Sequence, residues 1–221
     1  GVRRFGFHGL SIVSILAALQ SEGVDLGRER IVVAHLGAGA SMTAIEGGRS
    51  IETSMGFSTV SGLPMATRSG DIDPGVVLHL LRAGRSLEEV EDLLNRRSGL
   101  LGLSGVSADM AELLVSPDPR AAEAVELFCQ TGRRWLAGLA GVLGGVDRVV
   151  FTGGIGENAP RVRAAICEGL SFMGVDLDQA RNEAGAGVIS RDGAQVIIEA
   201  RVADEEAVIA RETRAALATM S

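Results

Sequence analysis

Apolar residues fall in short blocks separated by glycine and polar turns, and two periodicities alternate along the chain. The run Ile12 to Leu19, stopping at Glu22-Gly23, predicts a buried helix with a glycine stop. Ile31 to Leu36 is β-branched and apolar, hence a predicted strand. Then come the turn Gly37-Ala38-Gly39-Ala40-Ser41, a run from Met42 to Glu46, the pair Gly47-Gly48, and a run from Arg49 to Ser54. A Gly-Gly pair between two short runs signals a hairpin. The segment therefore reads strand, glycine turn, strand, tight turn, strand.

The middle of the chain predicts helices. One spans Gly75 to Gly84, and Ser86-Leu87-Glu88-Glu89 is a capping box opening another that ends at Arg97-Ser98-Gly99, its acidic face solvated. Pro117-Asp118-Pro119 breaks the chain before one long helix, Arg120 to Leu143, with Phe128 and Trp135 read as core. Asp147 to Thr152 predicts a strand running into Gly153-Gly154-Ile155-Gly156-Glu157-Asn158, and Pro160 suits the first turn of a following helix. Short strands at Val188-Ile189 and Val196 to Ile198, then an amphipathic helix from Asp204 to Met220, complete the chain. Helices interleaved with strands, including an early hairpin, predict a mixed α/β layer fold.

Composition narrows the chemistry. The chain has 221 residues, 46% of them hydrophobic, with 21 basic and 28 acidic side chains and a net charge of −7. Every basic residue is arginine, and there is neither lysine nor tyrosine. A P-loop, a protein-kinase strand lysine and a pyridoxal Schiff base are thereby excluded. Phosphate chemistry must use arginine, histidine, backbone amides or a metal. The acidic balance argues against a nucleic-acid or membrane partner and for a small ligand. Cys129 and Cys167 make no metal spacing, and the expected compartment is a reducing cytoplasm.

Two strand-to-glycine-turn units stand out. His35-Leu36-Gly37-Ala38-Gly39 offers consecutive backbone N–H groups suited to phosphate, and Gly153 to Asn158 leads toward a helix. Each also reads as a tight turn needing positive φ. The second unit lacks the G-x-G-x-x-G spacing and the ribose-binding acid of a dinucleotide site. Arg68, in Ala66-Thr67-Arg68-Ser69-Gly70-Asp71-Ile72-Asp73-Pro74, suits a forked phosphoryl contact, although a local ion pair to Asp71 or Asp73 is the favoured reading from these residues alone. His8 and His35 each sit beside glycine, and His79 lies between leucines as a bystander.

Seven blocks in order then carry a resemblance: Arg3-Arg4-Phe5-Gly6-Phe7-His8-Gly9, Val33-Ala34-His35-Leu36-Gly37, Thr53-Ser54-Met55-Gly56-Phe57, the Ala66 to Pro74 segment, Ser98-Gly99-Leu100-Leu101-Gly102-Leu103-Ser104-Gly105, Phe151-Thr152-Gly153-Gly154-Ile155-Gly156-Glu157-Asn158, and Asp204-Glu205-Glu206. Together they closely resemble the acetate kinase family, which includes propionate kinases. The resemblance implies a ribonuclease H-like α/β domain of the actin, Hsp70 and sugar-kinase type, with a mixed sheet and flanking helices. It also implies transfer of phosphate from ATP to the carboxylate of acetate, with Mg²⁺ or Mn²⁺, in a cytoplasmic homodimer.

By position, His8 and Arg68 resemble the pair that stabilises the phosphoryl transition state, while Phe7 and Thr59 fall in the acyl pocket. His35, Leu36, Gly37, Ala38 and Gly39 match the phosphate-binding hairpin. Asp109, Met110 and Ala111 match the nucleoside contact, and Gly154, Ile155, Gly156, Glu157 and Asn158 the second nucleotide loop. Glu205 matches a magnesium-associated glutamate. The chain departs from the family pattern at Leu10 and Ile12, at Ala38 where asparagine is common, at Met110 and Ala111, and at Thr59 in place of proline. It opens where the second half of such a kinase would open, so residues 1–221 are expected to be a single C-terminal nucleotide-binding domain, the N-terminal half being absent. The chain alone is then expected to have little or no kinase activity. The alternatives are a non-catalytic nucleotide-binding or dimerisation domain, and specificity for propionate or butyrate.

Overall fold

The structure, a computed structural model, describes residues 1–185 and 187–219. Helix α1 (Gly9–Ser21) precedes three antiparallel strands, β1 (Ile31–Leu36), β2 (Ala40–Glu46) and β3 (Arg49–Thr53). Gly47 and Gly48 between β2 and β3 have φ of 58° and 71°, the left-handed geometry that a two-residue hairpin turn needs. A helical middle follows: α2 (Pro74–Arg82), α3 (Leu87–Arg96), α4 (Gly99–Ser104), α5 (Met110–Val115) and α6 (Pro119–Val142). The chain then forms β4 (Arg148–Thr152), α7 (Gly153–Asn158), α8 (Pro160–Cys167), α9 (Gln179–Ala184), β5 (Gly187–Val188), β6 (Ile197–Ala200) and α10 (Glu205–Thr219).

The strands make one mixed sheet in the order β3-β2-β1-β4-β6-β5, with β1, β4 and β6 parallel. Alternate residues of β1 feed two cores. Val32, Ala34 and Leu36 pack with Phe128, Leu136 and Leu139 of α6, whereas Ile31 and Val33 pack with Ile15 and Leu19 of α1. Both faces of the central strands are covered, which is why the strands read as continuous apolar runs. This is the mixed sheet with flanking helices expected above.

Most predicted elements are present within a few residues, including the Ser86 capping box. Phe128 is fully buried, and Trp135 is half-buried against the same core. His79 is exposed on α2. The last residue of the expected closing helix, Met220, lies outside the described residues. Residues 153–158, expected to be a glycine turn leading toward a helix, themselves form the short helix α7: Gly153, at φ 77°, swings the chain off β4. The Glu157 carboxylate then accepts the Gly153 N–H at 3.0 Å and closes the turn.

Residues 65–68 form a loop onto which the start of α4 docks through Ser98 N–H to Thr67 O (2.9 Å), Leu100 N–H to Met65 O (2.8 Å) and Leu101 N–H to Ala66 O (3.0 Å). Gly99, at φ 61°, lies flat against this loop, and a Cβ there would collide with Met65 O and lie 2.6 Å from Arg68 O. Gly99→Ala is therefore expected to cost about 3 kcal/mol, from the backbone strain and the clash together. Urea unfolding followed by circular dichroism measures it, and an unchanged midpoint refutes the packing described.

Candidate active site

His8 is the N-cap residue of α1, held at φ 59°, ψ 29°, the one left-handed non-glycine among the described residues. Such strain in a non-glycine residue marks functional positions. Its ring stacks on His35, at the end of β1, with centroids 4.0 Å apart and planes 12° off parallel. Each Nδ1 meets a buried serine hydroxyl: His8 meets Ser41 Oγ at 2.8 Å, and His35 meets Ser11 Oγ at 2.9 Å. The Nε2 atoms face the glycine turns. A Cβ on Gly39 would lie 3.3 Å from His8 Nε2 and 3.6 Å from Arg68 Nη1; one on Gly153 would lie 3.2 Å from His35 Nε2.

Arg68 thus converges with His8 on one point above Gly39. Among the described residues it makes no ion pair, and its Nη1 reaches only Thr59 O at 3.4 Å and Met65 Sδ at 3.6 Å. The local ion pair favoured from the residues alone does not form. Asp71 accepts the Gly62 N–H at 2.8 Å and lies 3.6 Å from Arg134, while Asp73 caps α2 through the Gly75 N–H at 2.7 Å. Both acids serve the backbone, leaving the guanidinium free for an anion.

Burial, then the neighbouring His35 and Arg68, lowers the His8 pKa from 6.5 to about 4. Burial also lowers that of His35, against the opposing fields of Glu205 and Glu157. Both rings are consequently neutral hydrogen-bonding groups near pH 7, and Arg68 supplies the fixed charge. Glu205 opens α10, whose approach is tied to α1 by the Asp204 N–H donated to Ser14 Oγ at 2.8 Å.

Beside this cluster is a largely apolar cavity of about 430 Å³, lined by Gly37, Ala38, Asp109, Met110, Ala111, Leu114, Gly154, Ile155 and Asn158 among others. Both glycine turns and the Asp109 segment, expected to hold nucleotide, therefore share one wall. The other expected residues lie around it. The Leu36 side chain points into the core, leaving only its backbone at the turn. Gly156 is buried, its carbonyl accepting from Arg163 at 2.8 Å. The Glu157 carboxylate is engaged with Gly153 and Thr152. Asp109 caps α5 through the Ala111 N–H at 2.8 Å. Phe7 packs against the main core next to His8, and Thr59 lines a separate hollow with Arg68. The residues missed as site groups are Ser11 and Ser41; the signals were the three-residue step from His8 to Ser11 and the register partner of His35 across the hairpin.

Among the described residues no three His, Cys, Asp or Glu side chains cluster to cage a metal. A single carboxylate such as Glu205 suits Mg²⁺ all the same, since that ion keeps several waters and is held by one or two carboxylates plus substrate phosphates.

A family model described as the acetokinase family matches residues 1–211. The chain belongs to the acetokinase family. It is 49% identical to an acetate kinase of Methylocella silvestris, over 100% of this chain and 55% of that protein. With a propionate kinase of Citrobacter rodentium it shares 46% identity, over 99% of this chain and 56% of the relative. The crystal structure of Porphyromonas gingivalis acetate kinase matches with a TM-score of 0.93 at 40% identity, covering 98% of this chain and 56% of that one. The chain thus spans about half the length of the relatives it matches. Within this acetokinase-family chain the fold is that of the solved kinases, as the resemblance implied.

Two outcomes follow from the geometry. Gly39→Ala, at a position without positive φ, is expected to leave the fold intact while displacing the His8 ring, since the added methyl would lie 3.3 Å from His8 Nε2, read as shifted His8 imidazole NMR resonances; unshifted resonances refute the convergence above Gly39. The second concerns acid. Because the folded His8 takes up its proton only near pH 4 while the unfolded chain does so near 6.5, the unfolded state binds more protons between those values, and stability falls as pH drops through them. His8→Asn, which tolerates the left-handed backbone, is expected to flatten that part of the loss in urea midpoints taken from pH 7 to 4.5.

Proposed function

We propose that this chain provides the nucleotide- and phosphate-binding part of a short-chain acyl kinase that transfers the γ-phosphoryl group of ATP to the carboxylate of acetate, giving ADP and acetyl phosphate. The observation that carries the reading is the meeting of His8 Nε2 and Arg68 Nη1 over a glycine that leaves the space between them open. In-line phosphoryl transfer asks mainly for positioning and for charge stabilisation on the equatorial oxygens. A neutral imidazole N–H and a fixed guanidinium supply both. A carboxylate oxygen attacks phosphorus as the bond to ADP breaks, and no proton has to be moved.

The apolar cavity beside the turns suits the adenosine, with Asp109 at its rim. The Gly37 N–H is donated within the turn to Gly39 O at 3.0 Å, so the backbone N–H groups of Ala38 and Gly39 are the ones that suit the phosphates, and Glu205 would hold Mg²⁺ or Mn²⁺, which neutralises phosphate charge when bound. Phe7 and Thr59 would face the acyl group. An acetate kinase and a propionate kinase among the relatives are similarly identical to this chain, so acetate is the proposed substrate and propionate the alternative. A homodimer is supported by α2, none of whose residues is buried, and which exposes Val76, Leu78 and Leu81.

Acyl hydroxamate formation from ATP, Mg²⁺, acetate and hydroxylamine, measured on the protein as its gene encodes it, tests the reading. Arg68→Ala is expected to lower kcat/KM at least about a hundredfold, the scale of a lost transition-state donor. Undiminished turnover in Arg68→Ala refutes the role assigned to it, and Mg-ATP binding without turnover in the unaltered protein points to the non-catalytic alternative.

A further inference from the structure

The two stacked histidines are held by a crossed pair of hydroxyls. His8 and Ser11 lie three residues apart at the start of α1, on one face of its first turn. His35 and Ser41 are direct partners in the register between β1 and β2, so their side chains leave the sheet on the same face. The hydrogen bonds run diagonally between these two pairs: His8 Nδ1 with Ser41 Oγ at 2.8 Å, His35 Nδ1 with Ser11 Oγ at 2.9 Å. Ser11 is 0% exposed and Ser41 1%, and among the described residues neither hydroxyl has another hydrogen-bond partner.

That last point decides the direction of the bonds. A buried serine whose only neighbour is an imidazole nitrogen must either donate its proton to that nitrogen or leave the O–H unsatisfied, with water excluded. Donation is favoured, and it makes each Nδ1 the acceptor. The ring proton of the neutral imidazole is then on Nε2. Both Nε2 atoms are the ones directed at the glycine turns, His8 over Gly39 and His35 over Gly153 and Gly37. In the opposite tautomer each Nε2 would present a lone pair to an incoming phosphate oxygen and repel it.

We propose that Ser11 and Ser41 are positioning residues that fix His35 and His8 in the Nε2–H tautomer, so that both rings offer N–H donors to the anion site. The tautomer is a property of the free protein; its use as a phosphate donor rests on the function proposed above. The same quartet explains why neither serine needs to touch substrate. Each acts through the ring it holds.

Long-range nitrogen–proton NMR spectra of the ¹⁵N-labelled 221-residue chain near pH 7 test this directly, since three histidines give three resolvable rings and the exposed His79 serves as an internal reference. His8 and His35 are expected to show a protonated Nε2 and an unprotonated Nδ1. Ser41→Ala is expected to release His8 toward mixed tautomers without altering His35, and Ser11→Ala to do the converse. A protonated Nδ1 in the unaltered chain overturns the proposal whether or not the variants fold, and so does a tautomer that ignores loss of its serine. In a Mg-ATP titration, Ser41→Ala is expected to bind at least fivefold more weakly, and unchanged affinity removes the positioning role. Failure of the unaltered chain to bind nucleotide, with the tautomers as expected, refutes the proposed function alone.

Discussion

Parallel pairing of β1 with β4 places His35 opposite Thr152, so the two strands end level and their glycine turns leave the sheet side by side. The fit is close enough that a Cβ on Gly153 would lie 2.8 Å from Leu36 O, and one on Gly37 would lie 3.9 Å from the Gly154 N. Ligands of open α/β sheets bind beyond the carboxyl ends of the strands, where backbone N–H groups are free. Here three further elements are fastened to the rim of that position. Helix α1 brings His8, the loop resting on α4 brings Arg68, and α10 brings Glu205.

This position is braced from below by guanidinium groups. Arg163, fully buried, donates to Gly156 O, Glu157 O and the Asn182 side chain and carbonyl, so the final carbonyls of α7 are satisfied from behind and tied to α9. On the face of the sheet that carries α1, Arg148 pairs with Glu29 and Glu199, and Arg201 with Glu199 and Glu22, linking β4 and β6 to the end of α1. A planar fork can serve several fixed acceptors at once, which an ammonium cannot do with the same geometry. The exclusive use of arginine thus contributes to rigidity as well as to the anion site proposed around Arg68. Each buried member of this ion-pair chain has a second charged partner, Glu29 for Arg148 and Arg201 for Glu199, so losing one leaves the other still paired.

Elements whose cause is local were legible in the sequence. The Gly47-Gly48 hairpin, the Ser86 capping box and the Asp118-Pro119 start of the long helix each depend on residues within a turn of one another. Short glycine-bearing helices such as α4 and α7 were not, because each is held by distant partners: α4 by the Met65–Arg68 loop, α7 by Arg163. Arg68 shows the same limit in the site. Its nearest acids in sequence are claimed by backbone N–H groups, an outcome decided by the fold and invisible in the spacing. The ordered motif blocks carried the candidate site residues together where no single block did, yet the serines that hold the histidines escaped, since a serine at a helix start or in a hairpin has many ordinary uses.

The burial of titratable groups also shapes the protein's response to base. Cys129 on α6 and Cys167 on α8 are buried, and burial pushes their thiols from 9.0 up to about 11 and about 12. Above pH 9.0 the unfolded chain sheds thiol protons that the folded one keeps, so stability declines on the alkaline side. On the acid side the decline sets in below 6.5, where the buried histidines resist protonation. With no lysine or tyrosine to titrate in the alkaline range, the buried imidazoles act on the acid side and the buried thiols on the alkaline side of neutral pH. The guanidinium braces stay charged on both sides.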